Sequence, residues 1–332
     1  MADSFYDIGK MEAIRLLFEG TPFKAFARAS FVPARESTVF SSSRVFIEGI
    51  DFDLVYFPLK HLGYKSVVAV TGELYASMAR PRTLSVVLGV SSKLDFSHVR
   101  ELWGGMVAAA REFSFSALSL DLVPSPNGLT ISVSASGELP HLSAARRPAP
   151  KSKDLLCISG RLGAAYLGMR VLERARKTFD AEGTQPELEK YRMIVGAYLK
   201  PELEAGLPDR LESSGIYPSS GAFITRGLSD AVKRIARDSG LGAKVYAEKI
   251  PFEGNSFALG KELDVDPVSA AMNGGDDYQL LFTVPILSLE RFRRDFQTFD
   301  IIGHLAEKEV GEVLVTPEGV ELPMRAQGWS EQ

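Results

Sequence analysis

Across 332 residues, 45% are hydrophobic and 24% charged, enough apolar material for the cores of two ordinary domains. Lysine and arginine total 38 against 42 aspartate and glutamate, a formal net charge of -4; no global field draws the chain to nucleic acid or an anionic membrane, so any anion site has to be local. One cysteine, Cys157, excludes an intramolecular disulfide framework and a cysteine-based zinc cluster, and its setting DLLCISG reads as a buried strand thiol.

The opening MADSFYDIGK has no cationic stretch followed by an apolar run, and nowhere do about 18 apolar residues follow one another, so a cytoplasmic protein that does not span a membrane is expected. MEAIRLLFEG predicts a short helix closed by Gly20, and TVFSSSRVFIEG predicts a strand. Pro58 marks a helix start that would hold His61, while KSVVAVTGELY and TLSVVLGVS read as Val- and Leu-rich strands. HVRELWGGMVAAAREF has helical spacing and LTISVSASGEL alternates like a half-exposed strand. HLSAARRPAPKSKD lacks hydrophobic periodicity and reads as a linker, which divides the chain into 1–145 and 146–332. Beyond it come the DLLCISG strand, helices near 163–178 and 186–199, the strand GAFI leading into the helix SDAVKRIARDSG, the strand AKVYAEKIP, GGDDYQLLFTVP, and strand-like VLVTPEGVEL. The alternation predicts an α/β (α+β) protein.

Two features bear on chemistry. NGGDDYQLLFTVP sets Asp276 and Asp277 directly before an apolar strand, either as an ordinary Asx-type turn or as a turn presenting carboxylates at the strand's edge. Arg161 and Arg226 each follow a strand and a small polar residue and precede a glycine and a helix, which puts them near helix N-termini whose orphan amides favour anions. Thr225 and Gly227 complete the second of these turns. Arg44, in SSSRVF, is a third arginine at a strand position. The phosphate-loop, dinucleotide, zinc-protease and nucleophile-elbow signatures are all absent.

Over nearly its whole length the sequence resembles thiamine-monophosphate kinases, through DFDLVYFPLKHLGYKSVV, SGRLGAAYLG, YLKPE, GLSDAVKRIARDSGLGAKVYAEKIP, NGGDDYQLLFTVP, IIGH and the terminal AQGW. The resemblance implies the two-domain aminoimidazole-ribonucleotide-synthetase-like fold and a homodimer whose N-terminal sheets pair. It also implies transfer of the ATP γ-phosphoryl group with Mg²⁺ ions held by aspartates from separate loops. In this chain those loops are rewritten. The GDDAA-type loop corresponds to Ala27 to Ala34 without an acid, and the TTD before the EG motif becomes Ser42-Ser43-Arg44. GDLG becomes Gly160-Arg161-Leu162-Gly163, and D-x-S-D-G-L becomes Phe223-Ile224-Thr225-Arg226-Gly227-Leu228. Glu73 keeps the acid of SDxxAM and Asp121 that of GGDT, the two positions left to hold metal if activity persists. Arg147 matches a nucleotide-contacting arginine; Asp276 and Asp277 stand in the GGED-type turn and Trp329 in the GW motif, on the substrate side. Asp51 replaces the family's usual histidine in VEGVHF.

The expectation is a degenerate relative with little or no kinase activity. It would bind an anionic or phosphorylated ligand through Arg44, Arg161 and Arg226, near Asp121 and Arg147, with no cofactor assigned. An active kinase using ATP and Mg²⁺ is one alternative, and a structural or protein-binding dimer is the other.

Overall fold

The structure, a computed structural model, describes residues 30–33, 36–183 and 187–327, with side chains from residue 36 on. The helix expected over 11–20, the start of the segment Ala27 to Ala34, and Trp329 lie outside the described residues.

Strands β1 (Ser30–Pro33), β2 (Ser37–Ile47), β3 (Arg80–Val90), β4 (Ala117–Pro124) and β5 (Thr130–Pro140) form one sheet in the order β1-β2-β5-β3-β4. Only the β3–β4 pair is parallel. The alternation read in LTISVSASGEL holds: Ile131, Val133 and Ala135 are buried while the serines between them face the other way. Arg44 is in register with Val133, so its side chain shares the inward face with Phe46.

The run KSVVAVTGELY is not a strand; it lies inside the helix Leu59–Ala76, which starts after Pro58 as expected. Its β-branched residues mislead because the helix is covered on nearly all sides, touching β2, β3 and β5 of the first sheet, β7 and β9 of the second, and the helix Phe96–Glu112. A helix buried all round carries no amphipathic period, and tertiary burial outweighs the weak strand preference of valine.

The second sheet takes β6 (Leu155–Ile158), β7 (Ser220–Ile224), β8 (Gly242–Tyr246), β9 (Gln279–Val284), β10 (Asp300–Ala306), β11 (Glu312–Val315) and β12 (Glu321–Pro323), in the order β12-β11-β8-β10-β6-β9-β7. Helices Ala164–Glu182, Arg192–Leu199, Leu228–Ser239 and Pro267–Asn273 accompany it. The helix expected from 186 begins at Arg192, after a single 3-10 turn at Glu189–Tyr191. The basic segment between the sheets is only half loop, since His141–Arg146 is helical and the residues up to Asp154 are not. Cys157 is buried in β6, and burial pushes its thiol far above the usual range. Among the described residues no helix is long and apolar enough to cross a membrane. The architecture is mixed α/β, built on two sheets with the Leu59–Ala76 helix between them.

Candidate functional site

At the end of β7 the chain turns through Thr225, Arg226 and Gly227 into the helix Leu228–Ser239. Gly227 is the N-cap at φ 93°, and no side chain caps the helix. A second turn, Gly274 to Tyr278, is tied to the first by Asp276 N donating to Thr225 O at 3.1 Å and Tyr278 N to Ile224 O at 2.9 Å. Asp276 and Tyr278 sit at φ 61° and 52°, the left-handed region that residues with side chains rarely occupy. Such strain persists where the surroundings over-determine it, and here two crossed turns do so.

Charge converges on this crossing. The Asp276 carboxylate accepts from Lys65 Nζ at 2.9 Å and lies 3.5 Å from Arg44. Lys65 is wholly buried in the central helix, donates also to Tyr198 O at 2.8 Å, and lies over the rings of Tyr198, Phe57 and Tyr278. Burial pulls its ammonium below the usual lysine range, with Asp276 opposing. Arg44 faces Phe46 and Tyr278; burial works against its charge, but Tyr278, Asp276, Asp51 and Glu73 prevail and hold it above the ordinary arginine range. Arg226 differs. Among the described residues it makes no ion pair or side-chain hydrogen bond, and burial, Arg234 and Arg44 lower its pKa against the pull of Asp230 and Glu73.

The two arginine-bearing helix starts are therefore unlike. At Ala164–Glu182 the amides are already served by a carboxylate, because Asp277 accepts from Gly163 N at 2.9 Å and Ala165 N at 3.3 Å. Arg161 is exposed and pairs with Glu253 at 2.7 Å. Asp277 is buried, and burial pushes its carboxyl up to about 7 against the two amides. A carboxyl raised in the folded state contributes stability that is present below its unfolded value near 4 and lost as pH rises toward about 7. Asp277→Asn will flatten this fall in melting temperature between about pH 4 and 7; an unchanged slope would show that another group is responsible.

The remaining candidates separate. Arg44, Asp51, Glu73, Arg226 and Asp276 come together, with Thr225, Gly227 and Asp277 in the two turns that frame them. Asp121 does not join them: it is in register with Val87 on the outer face of the first sheet, while Arg44 lies on the inner face, so within one chain Glu73 and Asp121 cannot share a metal ion. Arg147 sits at the opposite end of β7, donating to Pro218 O and Ser77 O beside a cavity of about 370 Å³ lined by Ser219, Ser220 and Asp238. Lys65, Tyr198 and Tyr278 escaped sequence reasoning. The available signal was a single lysine among apolar residues in YKSVVAV, which becomes meaningful only once that segment is known to be a buried helix.

Residues 28–139 match the model of the AIR synthase related protein, N-terminal domain. The thiamine-monophosphate kinase of Methanopyrus kandleri is 28% identical over 78% of this chain and 76% of its own length; that of Bacillus subtilis is 21% identical over 86% and 85%. Among solved structures, one described as AaThiL complexed with AMPPCP and TMP matches with a TM-score of 0.81 at 21% identity, covering 99% of both chains.

Over most of its length the chain is similar to thiamine-monophosphate kinases, and it shares their fold.

Against that family's pattern, Phe223 occupies the position of the first acid of D-x-S-D-G-L, and its buried ring lies edge to face on Tyr278 at 5.5 Å. It packs directly over Gly72, where a Cβ would come within 2.3–2.4 Å of ring atoms. The bulky ring and the missing side chain are thus one packing unit. An alanine is worth about 1 kcal/mol over glycine inside a helix, whereas overpacking a core costs about 1–3 kcal/mol, so Gly72→Ala should destabilise the protein. Denaturant unfolding will read this loss, and in a Phe223→Ala background the same change should turn neutral or stabilising.

Mg²⁺ takes hard oxygen ligands in octahedral geometry. The loop positions at issue offer three guanidinium groups and a phenyl ring, and the Asp276 carboxylate is engaged by Lys65 and Arg44. Among the described residues no group of three or more His, Cys, Asp or Glu side chains converges to hold a metal. The residues present do not fit the ion.

Proposed function

We propose that this thiamine-monophosphate-kinase-like chain has little or no kinase activity and binds an anionic or phosphorylated ligand, without metal, at the crossing of the two turns. The observation that carries this reading is Arg226, a guanidinium without an ion pair among the described residues, set directly before an uncapped helix N-terminus and beside Arg44. Orphan amides and a fixed cation together suit phosphate or carboxylate oxygens. Transfer of a phosphoryl group needs far more, since removing a single preorganised charge contact can cost about 3–4 kcal/mol of transition-state stabilisation, and here cations stand where several metal ligands are expected.

Thermal-shift measurements with ATP, phosphate, thiamine monophosphate and thiamine diphosphate, each in Mg²⁺ and in EDTA, test the reading. Stabilisation by anions in EDTA is expected. Stabilisation by ATP that requires Mg²⁺, or turnover of thiamine monophosphate, would overturn it in favour of a working kinase.

On the same reading the chain divides at residue 145 and forms a homodimer in a cytoplasmic setting. The outer face of the first sheet supports the dimer, since Val45, Ile47 and Val87 are exposed there with no described element covering them. Light scattering should give a dimer that Val45→Glu converts to monomer; a monomeric wild type removes this part.

A further inference from the structure

We infer that Arg44 is a built-in cation filling a carboxylate-lined aromatic cage, so that the crossing of the two turns refuses positively charged ligands and admits anionic or neutral ones. The inference deepens the reading of that crossing as a ligand site and rests on it.

Rings and carboxylates together are how proteins hold organic cations. The Arg44 guanidinium lies 4.9 Å from the ring centroid of Phe46 and 5.6 Å from that of Tyr278, with Asp276 at 3.5 Å and Asp51 and Glu73 adding attraction. A neighbouring compartment repeats the arrangement around Lys65, whose Nζ lies 3.9 Å from the Tyr198 centroid and 5.2 Å from that of Phe57. Both cationic positions are thus taken by the protein's own side chains. β2 runs between β1 and β5, which fixes the base of Arg44, and its side chain retains 23% exposure, enough for a ligand to meet it without displacing it.

A second observation marks the cage as more than an internal ion-pair network. The Tyr278 hydroxyl is fully buried and finds no hydrogen-bond partner among the described residues, and Arg44, Asp276 and Asp51 act on it electrostatically. Buried hydroxyls are ordinarily satisfied, so an orphan beside strained backbone sets this cage apart from an ordinary packed core. A cationic ring entering here would meet Arg44 at like-charge distance, whereas an anion or a neutral ring with a polar edge would find the exposed part of the guanidinium.

Removing Arg44 should reverse this preference. Thiamine, an organic cation without a phosphate, is titrated calorimetrically into the wild type, Arg44→Ala and Arg44→Lys. Arg44→Ala should bind it on the order of tenfold more tightly than the wild type, and Arg44→Lys should stay closed. Asp276 keeps Lys65 as a partner in the variant, so the fold should survive; if Arg44→Ala does not fold, Arg44→Gln serves with a neutral side chain. A folded variant that binds thiamine no better than the wild type overturns the inference, as does a wild type that binds it equally well. The outcome is separable from metal-free anion binding: phosphate binding lost with the cage still opening sinks the earlier reading, and phosphate binding intact with a closed cage sinks this one.

Discussion

Pyrophosphate will bind this protein in the presence of EDTA, and Arg226→Asp will weaken that binding by about 10- to 100-fold or more. A hydrogen bond to a charged group contributes about 1.5–3 kcal/mol, and each 1.4 kcal/mol is about tenfold in affinity. The aspartate also places a negative charge where the anion arrives. Arg226 is suited to the role because no ion pair has to be broken first, in contrast to Arg161, which Glu253 already holds. Its partial exposure adds a salt dependence, so the affinity should fall as ionic strength rises. Calorimetry decides: equal affinity in Arg226→Asp would mean that the arginine merely fills a disused site.

Asp276→Ala will lower stability by about 3–5 kcal/mol, which for a chain of this size corresponds to a fall in melting temperature of roughly 5–10 °C. Asp276 is the carboxylate that Lys65 reaches from a fully buried position, and it also pairs with Arg44. Deleting it strands a buried ammonium, and the cost comes from that stranded charge more than from the lost pair. The pH dependence tests the mechanism. Burial already holds Lys65 below its ordinary value, and losing the carboxylate lowers it further. For a group depressed in the folded state, stability is present above the unfolded value near 10.4 and lost as pH falls through the folded one. Melting temperatures of Asp276→Ala should therefore recover relative to the wild type as pH rises from 7 toward 10. Adding Lys65→Met should recover stability at every pH; a double variant as unstable as the single would place the defect in the strained turn instead of the charge.

Much of the frame is legible in the sequence. The period-two pattern of β5, the Pro58 helix start and the strand-to-helix turn at Ile224 to Leu228 depend on local chemistry, and local chemistry is written in neighbouring residues. The central helix reads as a strand in the sequence because burial on all sides erases periodicity, and the same effect hides Lys65. The half-helical linker segment went unseen for a smaller reason, since six residues give too short a window for any period to register.

By itself the sequence determined the mixed α/β class, the family resemblance and the replacement of acids by Arg44, Arg161, Arg226 and Phe223. Which replacements form one site was decided only by the tertiary structure. Sheet faces separate Asp121 from Arg44, the Asp277 carboxylate closes the helix start beside Arg161, and the crossing of two turns leaves Arg226 open next to Arg44. The physical reason is that a charge acts over distances of a few ångströms, and residues such as Lys65 and Asp276, which touch at 2.9 Å, are 211 residues apart along the chain.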